Sequence, residues 1–317
     1  MHVIGLILIS FLTLVEFNVE NLFDTEHDSL KNDLEYTPES NLRWTTQRYW
    51  QKLNNIGTAI IACGEDAPSG ALPDLIAMAE VENDNVMHDL TKRSVLRNAG
   101  YEYIMTDSPD ERGIDVALVY QPLAFAPINS RSLRVDTFPG RGPTRDILYV
   151  SGRVANDDTL HLFVVHAPSR RGGEVASRPF RLSVAVKVGE AIDSIRAISP
   201  KAKIIVTGDL NAYSTDASLA KYGSFELEDV SRHAEGRNGA GGTYRYKGEW
   251  NSLDHVLVSR PLQSCVLDVF VCDNPFLTEP DETYGGVKPR RTYNGYKYNR
   301  TGTSDHLPLV TVLKLDK

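Results

Sequence analysis

Short apolar runs alternating with amphipathic stretches of helix length predict an α/β fold for this 317-residue chain. The clearest strand is Ile204-Ile205-Val206, a β-branched run that delivers Gly208-Asp209-Leu210-Asn211 where it stops. The clearest helix lies just before it, opened by Ser177 and Pro179 and closed by Pro200. Phe180, Val184, Val188, Ile192 and Ile195 recur there as one apolar stripe, which must pack on a sheet. The third observation is that several strands end on a polar or ionisable residue. Candidate chemistry therefore sits at strand ends, where backbone holds it still.

Taken in order, the first core strand spans about Thr13 to Phe17 and runs into Asn18-Val19-Glu20, with Asn18 and Glu20 on one face if the strand continues. A polar loop follows. Thr45 or Thr46 caps a helix carrying Trp50, Leu53, Ile56 and Ile60, and Gly64 stops it. Asp74 to Ala79 is a buried strand ending at Glu80, before a helix predicted over Val86 to Asn98 and closed by Gly100. Strands are expected at Tyr101 to Thr106 and Ile114 to Tyr120. Asp115 is either a surface-face residue or a cleft residue beside Arg112. Ile147 to Val154 and Leu160 to Val165 flank a turn at Asn156-Asp157-Asp158, and the second strand ends at His166. Arg170 and Arg171 follow in a Gly-containing loop, where guanidinium forks would match phosphate oxygens. Residues 214–250 read as an irregular loop shaping access to a site. Asp254-His255 then leads into a strand, and 276–298 reads as an ordered Tyr-, Gly- and Pro-rich surface insertion that could also contact a phosphate or a base. Asp305-His306 precedes the closing strand Leu309 to Leu313.

Composition sets limits. With 41% hydrophobic and 24% charged residues the chain is ordinary globular protein, and no repeat or linker divides residues 13–317 into two domains. A net charge of -8 disfavours non-specific grip on duplex nucleic acid. The three cysteines lack paired spacing, which argues against structural zinc or a disulfide framework. Val3 to Val15 is too short to span a bilayer, so no transmembrane span is expected. It has neither the basic start nor the small-residue cleavage site of a signal peptide. Residues 1–12 are an export remnant or a strand extension, which leaves cytoplasmic and exported locations both open. A monomer is expected.

Asp209 with Asn211, Asp254, Asp305 with His306, Asn18, Glu80 and His166 form a list of hard oxygen donors and imidazoles without the spacing of a zinc site. It suits Mg²⁺ or Mn²⁺ and the hydrolysis of a phosphate ester. No Walker loop, nucleophile elbow or dinucleotide fingerprint competes with that reading.

Six segments appear in a telling order: FNVENLFD, AEVEN, HAPSRR, GDLN, LDHVLVS and SDHLP. In that order, over about residues 13–315, the chain resembles the endonuclease/exonuclease/phosphatase superfamily of DNase-I-like, metal-dependent phosphoesterases. The resemblance implies a four-layer α/β sandwich, two mixed sheets face to face with helices outside, and a site at one sheet edge. It implies that Asn18 contacts the scissile phosphate or the metal and that Glu80 is the main metal ligand, with Asp305 beside the metal. Asp209 would align the attacking water, Asn211 hold a phosphate oxygen, and Asp254 orient His306, which stabilises the transition state. His166 would serve the leaving group, as in the pancreatic-type DNases and sphingomyelinases; the apurinic endonucleases carry a tyrosine there. Glu20 stands where some members carry aspartate. The substrate is left open among nucleic acid, lipid head group and small phosphate esters, and the alternative is a catalytically silent binding module.

Overall fold

The computed structural model describes residues 10–138 and 142–315. Residues 1–9 of the stretch read as an export remnant or a strand extension lie outside them. Strand β1 begins at Ser10, so the described end of the 1–12 segment is strand.

Two six-stranded mixed sheets make the frame. The first contains β1 (Ser10–Leu22), β2 (Leu75–Val81), β3 (Glu102–Met105), β4 (Asp115–Tyr120), β13 (Val266–Val271) and β18 (Leu309–Leu315), in the order β13-β18-β1-β2-β4-β3. The second contains β5 (Phe125–Leu133), β6 (Ile147–Val154), β7 (Thr159–His166), β8 (Lys203–Asp209), β9 (Leu227–Asp229) and β12 (Asp254–Ser259), in the order β5-β6-β7-β8-β12-β9. Three small hairpins complete the strands: β10–β11 (Tyr244–Tyr246, Glu249–Asn251), β14–β15 (Thr278–Pro280, Val287–Pro289) and β16–β17 (Tyr293–Asn294, Lys297–Tyr298). The last two lie inside the insertion read from sequence as a loop.

Burial explains the layers. Strand residues alternate between faces. On β8, Ile205 joins the core between the sheets, while Ile204 and Val206 face outward. Helix α3 (Glu174–Ile198) covers that outer face with Val184, Val188 and Ile192, all buried. Each such side chain contributes roughly 1.5–3 kcal/mol. The first sheet is covered in the same way by α1 (Thr46–Asp66), through Leu53, Ile56 and Ile60. Both sheets are therefore hydrophobic on two faces, which is why their strands read as nearly continuous apolar runs.

Some local expectations change. The helix expected over Val86 to Asn98 is only α2 (Asp84–His88), followed by a wider turn over Asp89–Arg93, because Asn83 caps an earlier start and accepts from Val86 N–H at 2.9 Å. Helix α3 starts at Glu174, ahead of Ser177 and Pro179, so Pro179 stands inside it. Asp115 belongs to neither expected setting. It is buried and accepts from the Thr106 hydroxyl and the Ser108 N–H, which ties off the β3–β4 turn. Trp50 is half-buried, and Tyr49 and Trp44 fill the core instead.

Candidate active site

Among the described residues, two adjacent strand pairs run parallel, β1 with β2 and β7 with β8, each near the middle of its sheet. Ligand crevices in α/β folds form at the carboxyl ends of such strands. Here those ends carry Asn18, Glu80, His166 and Asp209. The antiparallel neighbours begin at the same edge: Asp254 opens β12 directly opposite Asp209, and Asp305-His306 precede β18. A side-chain hydrogen bond joins the sheets. The Asn18 amide donates from Nδ2 to Asp209 Oδ2 at 3.0 Å. His166 Nε2 lies 3.6 Å from that same oxygen and 3.9 Å from Glu80 Oε1. Asp254 Oδ2 holds His306 Nδ1 at 2.7 Å, and the His306 ring lies tilted against Tyr244 with centroids 4.9 Å apart.

The backbone is bent to aim these groups. Glu20, Asn21, Glu80 and Asn211 all have positive φ, between 48° and 64°. Asparagine tolerates this region, whereas glutamate does so at a cost. Register shifts in β1 and β2 fall on the same residues, so both strands bulge there. The Glu80 bulge sets Oε2 to accept from Asn21 N–H at 2.9 Å, with Oε1 3.8 Å from Arg112 Nη2. On β8, Gly208 at φ 138° passes so close to β7 that a Cβ would sit 1.9 Å from the Val165 carbonyl oxygen. Only glycine permits that approach, and it brings His166 and Asp209 side by side.

Charge follows geometry. Burial pushes the Asp209 carboxyl up to about 7, helped by Asp254 and opposed by His306 and by the bonds from Asn211 and Asn18. Burial alone would lower His306, but the charge and hydrogen bond of Asp254, with Asp209 and Asp305, outweigh it and hold the imidazole well above its ordinary value. His166 is shifted well below, first by burial and then by Arg145 and Arg112. One imidazole is thus cationic and the other neutral at pH 7. Groups whose environments drive them apart in this way mark sites of proton chemistry.

A family model, described as the endonuclease/exonuclease/phosphatase family, matches residues 13–315. The chain belongs to the endonuclease/exonuclease/phosphatase family. Solved structures agree on the fold. A Bacteroides thetaiotaomicron protein of the endonuclease/exonuclease/phosphatase family superposes with a TM-score of 0.61 at 16% identity, over 97% of this chain and 99% of that one. A mannosyl-6-phosphatase from the same organism gives 0.60 at 16% identity over 95% and 99%. Truncated TDP2 of Caenorhabditis elegans gives 0.58 at 13% over 96% and 98%. Among curated proteins no match is found.

A divalent cation fits one part of this family site better than another. Among the described residues, Asp209, Asp254 and His306 bring ligand atoms within 4.8 Å of one another. However, Asp254 is sealed from solvent, and its Oδ2 is already taken by His306 and the Thr243 hydroxyl. A metal that took Asp254 through Oδ2 would have to displace both. Asn18 is also spent within the protein, since its Oδ1 accepts from Glu20 N–H at 3.0 Å. Glu80 and Asp305 remain as partly open carboxylates, the donor set that Mg²⁺ takes when water and phosphate complete its shell.

The other sequence candidates separate. Asn211 donates to the Ala167 carbonyl at 3.0 Å and its N–H to Asp209 at 2.9 Å, which places it in the centre. Glu20 is turned away from Asn18's face by the bulge and accepts from Arg291 Nε and Thr292 N–H at 3.0 and 2.8 Å. Arg170 pairs with Asp216 and lies over Tyr213, and Arg171 is exposed in the same loop, so neither is drawn into the cluster. His255 points to the opposite face of β12, held by Asp229 and the Ala212 carbonyl.

Sequence reasoning passed over Lys52, whose buried ammonium reaches Thr292 Oγ1 at 2.6 Å and is lowered by burial to about 8. It also passed over Thr243, and over Arg145, which donates to Asp110 and to the Ala167 carbonyl beside His166. Lys52 interrupts the apolar face of α1, a signal open to sequence. Thr243 gives none, because its contact spans an irregular loop.

Proposed function

We propose that this protein hydrolyses a phosphate ester with the help of Mg²⁺ or Mn²⁺, with a phosphodiester favoured. The observation that carries this reading is the meeting of Asn18, Glu80, His166, Asp209, Asp254 and His306 at one edge of both sheets, with one imidazole charged and one neutral. A cation bound by Glu80 and Asp305 would polarise the phosphoryl group and offset its charge. The chain's own groups do the rest. Asp209, fixed by Asn18 and Asn211, aligns and deprotonates a water for in-line attack. His306, kept cationic and oriented by Asp254, stabilises the charge that builds on the phosphoryl oxygens. Asn211 holds one of those oxygens. His166 presents its Nε2 side to the centre, where an N–H would support the departing oxygen; an anionic phosphate beside it would raise its basicity and let it pass on a proton. The diester is favoured because the centre already gathers Glu80, Asp209, Asp254 and Asp305, and a singly charged substrate is repelled less than a doubly charged monoester. Arg170 and Arg171 would touch only the outlying parts of a substrate, and unchanged turnover in both alanine variants would remove them.

The test is hydrolysis of bis-p-nitrophenyl phosphate beside p-nitrophenyl phosphate, with Mg²⁺, Mn²⁺ or a chelator. Diester cleavage that needs the cation and is lost in His306→Ala and Asp209→Asn is the expected result. Cleavage of the monoester alone would replace the diester reading, and cleavage that survives both substitutions would refute the assignment.

A further inference from the structure

Glu16 lies in the middle of β1, two residues before Asn18 and on the same inward face. It is wholly shielded from solvent between the two sheets. Its neighbours on β1 are Val15 and Phe17, and its register partners are Ala77 and Leu309, so an acid here breaks an otherwise apolar pattern. Neither carboxyl oxygen meets an N–H or O–H donor of another group among the described residues, apart from a carboxyl–carboxyl contact with Asp254. The other charged groups that face it are Asp209 and His306.

Asp254 has the complementary need. Its Oδ2 receives the His306 imidazole and the Thr243 hydroxyl, while Oδ1 is buried without an N–H or O–H donor among the described residues. Two ionised carboxylates in this dry layer would repel, and among the described residues no lysine or arginine pairs with Glu16. One proton between them turns repulsion into an O–H···O⁻ hydrogen bond, the strong charge-assisted kind. Burial, with the charge of Asp254 and Asp209 beside it, holds the Glu16 carboxyl well above its ordinary value, so the proton belongs to Glu16.

We propose that Glu16 is a positioning residue for the Asp254–His306 pair: its neutral carboxyl donates to Asp254 Oδ1 and, together with Thr243, fixes the carboxylate at the angle that His306 requires. Glu16 touches no substrate and acts only through Asp254. Its effect on rate rests on His306 being the transition-state group proposed above, but its effect on His306 does not.

Two measurements on the full chain test this. In bis-p-nitrophenyl phosphate hydrolysis, Glu16→Gln keeps an N–H donor of the same length and should hold kcat within about twofold. Glu16→Met keeps the length without the donor and should lower kcat about 10- to 100-fold with KM unchanged, the usual scale for supports of this kind. In the Asp254→Asn background, Glu16→Met should cost nothing further. Wild-type kcat in Glu16→Met, an equal loss in Glu16→Gln, or additive losses would each overturn the proposal.

The second measurement needs no turnover. The proton that His306 shares with Asp254 is followed by NMR with labelled histidine. Its signal should stay in place in Glu16→Gln and move or broaden in Glu16→Met, with the remaining histidine signals unmoved as proof of folding. One unchanged signal in all three proteins would overturn the proposal even if the wild type cleaved none of the esters. Absent turnover beside the expected NMR shift would refute the phosphoesterase reading and leave the Glu16 contact standing.

Discussion

His166 and His306 are the same residue type at the same cleft, yet their environments hold them in opposite states. Asp254 faces one, whereas Arg145 and Arg112 face the other. This difference predicts unequal responses to substitution. His306→Ala should lower turnover of any ester by roughly 10²–10³-fold, the usual loss for a transition-state donor. His166→Ala should slow esters of aliphatic alcohols far more than p-nitrophenyl esters, whose leaving group needs little proton help. Comparing the two substrate types in each variant checks this. Asp209 makes a prediction about pH. A base acts in its ionised form, so with Asp209 pushed up to about 7, kcat/KM should rise with pH through that value. Added cation should move the rising limb to lower pH. Stability runs the other way. A carboxyl whose folded value exceeds its unfolded value of 3.8 stabilises at low pH, and that contribution is lost as pH climbs through about 7. Asp209→Asn should therefore unfold at a temperature a few degrees above wild type at pH 8 and near it at pH 4, as thermal scans would show.

At the scale of elements, the β7–β8 pair and the 276–298 insertion set the site's shape. Gly208 admits no side chain, so Gly208→Ala must push β8 away from β7. A loss of about 1–3 kcal/mol in urea unfolding is expected, together with weaker turnover as Asp209 and His166 separate. The insertion is tied down by Arg291, which bridges Glu20 at 3.0 Å and Asp305 at 3.1 Å. Arg291→Ala should raise amide exchange across 287–298 while leaving the two sheets protected; unchanged exchange there would mean that the hairpins hold by themselves. Strands β5, β9 and β13 were not read, but the other strands of the two sheets and both long helices were legible in the sequence, because runs of valine and isoleucine and one stripe of period 3.6 survive in any context. The short α2 was not. A capping asparagine and a wide turn decide its length, and both depend on what the segment packs against.

At the scale of the whole molecule, a net charge of -8 disfavours non-specific grip on duplex DNA. Arg112 and Arg291 border the centre, but each is paired with an acid. Cleavage of plasmid DNA, if it occurs, should therefore fall steeply between 50 and 200 mM salt, while turnover of a small diester changes by less than about twofold. Comparing the two salt slopes in one buffer checks this; equal, shallow slopes would point to a nucleic-acid surface that overall charge conceals.

The sequence by itself determined the fold class, the family and the membership of the centre: Asn18, Glu80, His166, Asp209, Asn211, Asp254 and His306 are all named by where strands end. That much is local, because a strand's apolar run and the polar residue that closes it are neighbours in the chain. Only the tertiary structure decided which of these groups touch. Asn18 reaches Asp209 across 191 positions, and His306 reaches Asp254 across 52. The bulges at Glu20 and Glu80 redirect side chains that simple alternation would place elsewhere. The state of each imidazole, and the sealing of Glu16 against Asp254, come from the packing of one sheet on the other. Burial and charge act through space, and spacing along a chain does not carry them.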